Sequence, residues 1–158
     1  MLEELYNKNK ELDNIFWNKY SNSKDIFDKD SIELLVEIGE FINETKCFKY
    51  WSIKSINKSC MLEELADVIT MLMTFANRID MNISNYSVND IDVDLLTLIN
   101  NTYYLATKVK DELTKELLDK LFINVFGIAY KLNITDNDIK EFLVKKQKII
   151  LERLNSDY

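Results

Sequence analysis

The chain predicts an all-α fold, a bundle of about six helices, and three observations carry that expectation. Its 158 residues contain no proline and two glycines, so the strongest helix breakers are nearly absent. Hydrophobic residues make up 47 % of the chain, enough for a substantial core in one domain spanning residues 1–158. Apolar positions recur at helical rather than strand spacing.

Leu5, Leu12, Ile15, Phe16 and Tyr20 mark a first amphipathic helix that ends near Ser21-Asn22-Ser23. Asp30 or Ser31 is the expected cap of a second helix running to about Lys46. An aromatic and basic connector, Cys47-Phe48-Lys49-Tyr50-Trp51-Ser52, leads towards Lys58, and Ser59 is the expected cap of a third helix to about Ile79. The stretch from Asp80 to Asp92 is polar and reads as a loop. Helical patterns resume from Asp94 to about Lys110 and from Thr114 to Leu132, with Asn133 as the stop. Thr135-Asp136-Asn137-Asp138 has the form of a capping box for a last helix through Leu154.

Charge and composition narrow the chemistry. A net charge of −7 argues against a direct nucleic-acid partner, and an anionic substrate then needs a local basic patch or metal ions. The longest apolar run, Val68 to Ala76, is about half a membrane span, so no membrane segment is expected. Met1-Leu2-Glu3-Glu4 does not have the form of a signal peptide, and Cys47 and Cys60 lack metal-site spacing. The expected location is the cytoplasm, with reduced thiols. Histidine is absent, which removes Ser-His and Cys-His nucleophilic pairs, imidazole zinc sites and the ExxH ligands of di-iron bundles. Carboxylates remain for metal work, and they suit Mg²⁺, Mn²⁺ or Ca²⁺.

Glu37 and Glu40 stand three apart in one apolar run, and Glu64 and Asp67 stand three apart in the next. On a helix, Glu33, Glu37, Glu40 and Glu44 fall in a sector of roughly 60°, as do Glu64 and Asp67. Ile32 and Val36 flank the first stripe on one side, Leu34 and Phe41 on the other, and Gly39 lies opposite, where close approach of a neighbouring helix is expected. Unpaired carboxylates in a core cost several kcal/mol each, so facing pairs of this kind suit a hard divalent cation. Spacing alone leaves a second reading open, in which both stripes face water or pair with lysines.

Two further patterns carry polar groups on apolar faces. Asn9 lies between Leu5 and Leu12, where an unpaired amide is costly. Lys146 and Arg153 are seven apart on a face with Ile139, Phe142, Leu143 and Ile150, which fits either an anion partner or snorkelling stems. The connector after the acidic helix, Asn43-Glu44-Thr45-Lys46-Cys47-Phe48-Lys49-Tyr50-Trp51-Ser52, offers stacking surface and cations, or an aromatic plug at the bundle end.

Taken together, Glu37-x-x-Glu40, NETKCFKYWS and Glu64-x-x-Asp67 resemble the dimeric all-α dUTP pyrophosphatases of bacteria and phages, within the MazG-like NTP pyrophosphatase superfamily. The ExxE and ExxD frame marks the superfamily, and the NETKCFKYWS segment is more specific to the dUTPase branch. The resemblance implies that Glu37, Glu40, Glu64 and Asp67 bind Mg²⁺, with Mn²⁺ as a substitute, and that Glu37 also deprotonates the attacking water. The implied reaction converts dUTP, and also dUDP, to dUMP, with pyrophosphate released from dUTP; this keeps uracil out of DNA. It further implies that Lys46, Lys49 and Lys54 lie near the phosphates and Trp51 near the base. Asn9, ahead of Leu12-Asp13, stands where the family has a glutamine that contacts uracil. Lys146, Arg153 and Tyr158 match a Lys…Arg…Tyr pattern used for phosphate.

The chain departs from the family at Ile150 and Gln147, each in place of an asparagine, at Asp157 in place of a glycine, and at Thr70 in place of a histidine. These changes bear on nucleotide affinity, sugar discrimination and closure of the C-terminal arm rather than on the metal ligands. The resemblance also implies a homodimer with shared active sites. Tyr103, Tyr104, Phe122 and Phe126 then belong either to the interface or to the intrachain core. Two alternatives stay open: a MazG-like pyrophosphatase of another nucleotide, and a catalytically weakened, nucleotide-gated protein that binds a regulatory partner if phage-encoded.

Overall fold

A computed structural model describes residues 2–156, and its regular elements are all helical. The order is α1 (Leu2–Lys19), α2 (Ile26–Thr45), α3 (Lys58–Arg78), α4 (Leu95–Ala106), α5 (Val109–Glu112), α6 (Lys115–Lys131) and α7 (Asp136–Asn155). The all-α bundle is therefore as expected, with the fourth helical pattern broken after Ala106 into a helix and a single turn.

Helix α3 is the axis of the bundle. It packs against α1, α2, α6 and α7, while α4 packs against α6 and α2. This explains the apolar run from Val68 to Ala76: every residue of it is buried, because neighbours surround the helix on all sides. No helix among the described residues is long and apolar enough to cross a membrane. Phe122 and Phe126 are buried within the chain's own core, whereas Tyr104 is exposed.

Local signals set most helix ends. Asp94 and Thr114 accept backbone N–H groups at the starts of α4 and α6, and Thr135 and Asp138 form the anticipated capping box of α7. Asn133 stops α6 in the left-handed region. Two starts differ from expectation. Asn57, not Ser59, caps α3 by accepting the Ser59 and Cys60 N–H groups. Helix α2 begins at Ile26 behind Asp25, which has left-handed dihedrals and makes no side-chain cap. Asp30 and Ser31 therefore lie inside the helix, where Ser31 Oγ donates to the Asp28 carbonyl at 2.7 Å and Asp30 pairs with Arg78. The extra turn is held by tertiary contact, with Phe27 edge-on to Phe75 at 5.9 Å.

Glycine proves unnecessary for close approach on α2. A Cβ at Gly39 would meet only the Tyr103 hydroxyl, at 3.5 Å. Gly127 on α6 is the tight position, since a Cβ there would lie 2.7 Å from the Ile91 side chain.

Candidate active site

The acidic stripe of α2 lies at a boundary. Leu34 and Phe41 on one flank are buried, while Ile32 and Val36 on the other are exposed, Ile32 by 62 %. The helix is thus not enclosed, and its carboxylates sit at the rim where α2 meets α3. There Glu37, Glu40 and Glu64 bring carboxylate oxygens within 4.8 Å of one another. Glu37 Oε2 is buried and accepts no hydrogen bond among the described residues. An oxygen-only set with an unsatisfied buried oxygen fits a hard divalent cation.

Crowding sets the protonation of this cluster. The Glu37 carboxyl is pushed up to about 7, first by burial and then by the charges of Asp67 and Glu40, with Lys146 opposing. Glu64 is raised by burial and by Asp67 and Glu40. The fourth predicted ligand, Asp67, is engaged elsewhere: its Oδ2 lies 2.6 Å from Lys146 Nζ. Burial raises the Asp67 carboxyl, while Lys146 and the Arg153 charge pull it back down. Hence α7 delivers both predicted cations to the acidic rim, which a seven-residue spacing on one helix face permits.

Beside the carboxylates a cavity of about 260 Å³ opens between α1, α2, α3 and α7. Asn9, Asp13 and Trp17 line it from α1, Glu37 from α2, Asp67 and Thr74 from α3, and Lys146, Ile150 and Arg153 from α7. Asn9 is 1 % exposed and both of its amide N–H groups are engaged: Nδ2 donates to Asp13 Oδ2 at 3.2 Å and to Thr74 Oγ1 at 3.4 Å. Thr74 and Asn77 in turn donate to Asp13 at 2.9 and 3.1 Å. One wall is aromatic. Trp17 stacks on the Arg78 guanidinium, 4.6 Å from the ring centroid, and Arg78 reaches across to Asp30.

The connector lies apart from this cavity within the chain. Trp51 is 66 % exposed and Tyr50 95 %. Lys46 Nζ donates to the Ser55 carbonyl at 2.6 Å, Lys49 Nζ donates to Asn43 Oδ1 at 2.7 Å, and Lys54 is exposed. Tyr158 and Asp157 lie outside the described residues. Among the departures, Thr70 and Ile150 line the cavity, while Gln147 bonds α7 to α1 by donating to the Leu5 carbonyl at 2.7 Å.

Sequence reasoning did not assign Asp13, Trp17, Thr74 or Asn77 to the site. A signal for them exists in the helical spacing: Asn9 and Asp13 are four apart on α1, and Thr70, Thr74 and Asn77 follow one polar line through the apolar second half of α3.

Against known proteins, the family model described as dUTPase matches residues 1–158. No curated protein matches the chain.

Proposed function

Because the chain belongs to the dUTPase family, whose activity is hydrolysis of dUTP, we propose that it splits dUTP into dUMP and pyrophosphate with Mg²⁺ at the α2–α3 carboxylates. The single observation that carries this reading is the junction of two features. Three carboxylates converge within 4.8 Å, and Glu37 belongs both to that cluster and to the wall of a cavity sized for a nucleoside.

Glu37, Glu40 and Glu64 would hold the cation, joined by Asp67 when Lys146 turns to the phosphates. The chemistry that Mg²⁺ supplies there when bound is polarisation of phosphoryl oxygens and neutralisation of charge on the triphosphate. Mn²⁺ suits the same oxygen ligands. Glu37 orients the attacking water and takes its proton, a role supported by its buried Oε2, which accepts no hydrogen bond among the described residues. The water oxygen bonds to phosphorus as the bond to the departing pyrophosphate oxygen breaks, and the electron pair leaves with pyrophosphate. Lys146 and Arg153 bind the phosphate chain from α7, and Asn9 reads the base from the α1 side of the cavity. The same contacts accommodate dUDP, which lacks only the terminal phosphate.

The connector supports a homodimer. Phe48, Tyr50, Trp51, Ile53 and Ile56 are exposed together, as are Ile32 and Val36 on α2, which is more clustered apolar surface than isolated exposed residues explain. In the proposed dimer these surfaces meet, and Lys46, Lys49, Trp51 and Lys54 of one subunit complete the site of the other.

Pyrophosphate release from dUTP, dTTP, dCTP and UTP with Mg²⁺, comparing wild type with Glu37→Gln, tests the reading. Turnover selective for dUTP and lost in the variant is expected. Full activity in Glu37→Gln would overturn the assignment, and turnover without uracil preference would make the cavity a general nucleotide pocket.

A further inference from the structure

Resting on the reading of the cavity as the uracil pocket, we propose that Asp13 is the positioning residue behind selection of uracil over cytosine. It locks the Asn9 amide so that only the acceptor Oδ1 is offered to the base.

Asn9 has two amide protons and both are consumed, one by Asp13 Oδ2 and one by Thr74 Oγ1. A carboxylate accepts and cannot donate. Turning the amide over would place the Asn9 carbonyl against Asp13, two acceptors face to face, and would leave a buried amide group unsatisfied. Asp13 is itself held in place. Its Oδ1 accepts from the Thr74 hydroxyl at 2.9 Å and its Oδ2 from Asn77 Nδ2 at 3.1 Å. Four groups on α1 and α3 thus fix one orientation. Asn9 Oδ1 accepts no hydrogen bond among the described residues, and the residue lines the cavity.

An acceptor held in this way has a definite preference. Uracil carries an N–H donor at N3, which Oδ1 can accept. Cytosine carries a lone pair at the same position, so two acceptors would face each other in a buried site. Thymine keeps the N3 donor, and the Asn9 carbonyl does not distinguish it from uracil. Asp13 therefore controls one comparison and leaves the other alone, a pattern that simple loss of packing would not produce.

The test is calorimetric binding of dUMP, dCMP and dTMP to the full chain in Mg²⁺ buffer, for wild type, Asp13→Asn and Thr74→Val. Wild type is expected to prefer dUMP to dCMP by at least about tenfold, the scale set by one buried hydrogen-bonding group left unsatisfied. Asp13→Asn supplies an amide that can donate as well as accept, so Asn9 can turn over. The preference for dUMP over dCMP should fall by about tenfold while the dUMP to dTMP ratio stays as in wild type. Thr74→Val, isosteric and apolar, should move the first ratio in the same direction and serves if Asp13→Asn fails to fold. An unchanged dUMP to dCMP ratio in the folded variants would overturn the locking role. If wild type binds no dUMP, or does not prefer it to dCMP, the uracil reading of the cavity fails, and the proposal with it.

Discussion

Lys146 Nζ lies 2.6 Å from Asp67 Oδ2, an ion pair that ties α7 to α3 in the lining of the cavity. Both partners are about four-fifths enclosed, with side-chain exposures of 21 % and 19 %. The pair sits between the acidic rim and the pocket, so it couples stability to the site.

Removing one partner should cost more than removing both. Lys146→Met leaves the largely enclosed Asp67 without its lysine partner beside Glu37 and Glu64, and is expected to destabilise the metal-free protein by about 1–3 kcal/mol. Adding Asp67→Asn to that variant should recover much of the loss. Urea unfolding of the four proteins of this cycle measures the coupling directly. A simple sum of the two single losses would show that the ion pair carries no energy.

The acidic cluster predicts an unusual pH dependence. The Glu37 carboxyl is raised from 4.5 to about 7, so the folded state holds a proton that the unfolded chain releases. Its contribution to stability is full below pH 4.5 and is lost as pH rises through about 7. Glu64 and Asp67 shift in the same direction. In EDTA, the wild-type Tm should fall between pH 5 and pH 8, and Glu37→Gln should flatten part of that slope. Added Mg²⁺ should raise Tm most at pH 8, where the carboxylates are ionised. An identical slope in the variant would remove Glu37 as its source.

The two glycines should respond in opposite ways. At Gly39 the added methyl meets only the Tyr103 hydroxyl at 3.5 Å, so Gly39→Ala should stabilise by roughly 0.5–1 kcal/mol through helix propensity. Gly127→Ala forces the Ile91 side chain, at 2.7 and 2.9 Å, to move, and should lower Tm or leave no gain. Thermal melts decide both, and a loss at Gly39 would mean that α2 needs glycine for a reason other than space.

The exposed connector allows a test of the proposed shared site. If Trp51 serves the neighbouring subunit, Trp51→Ala and Glu37→Gln are each impaired alone, yet a refolded mixture recovers part of the activity in hybrid dimers. Sedimentation should show a dimer. No recovery from a mixture shown to exchange subunits would assign Trp51 to its own chain's site.

Much of this molecule is local and was legible in the sequence. Helical periodicity, the caps at Asp94, Thr114 and Thr135, and the three-residue spacing of the carboxylates depend on neighbours within one or two turns. Even there, the start of α2 escaped, because Phe27 packing on Phe75 outweighs the capping signals of Asp30 and Ser31. The sequence by itself determined an all-α chain with acidic pairs on two helices and cations on a third. Only the tertiary structure decided that Lys146 takes Asp67, that Trp17 rather than Trp51 lines the chain's own cavity, and that Asp13 meets Thr74 across 61 positions of sequence. The reason is physical: a helix repeats every 3.6 residues whatever surrounds it, whereas which faces meet depends on how the whole core closes around α3.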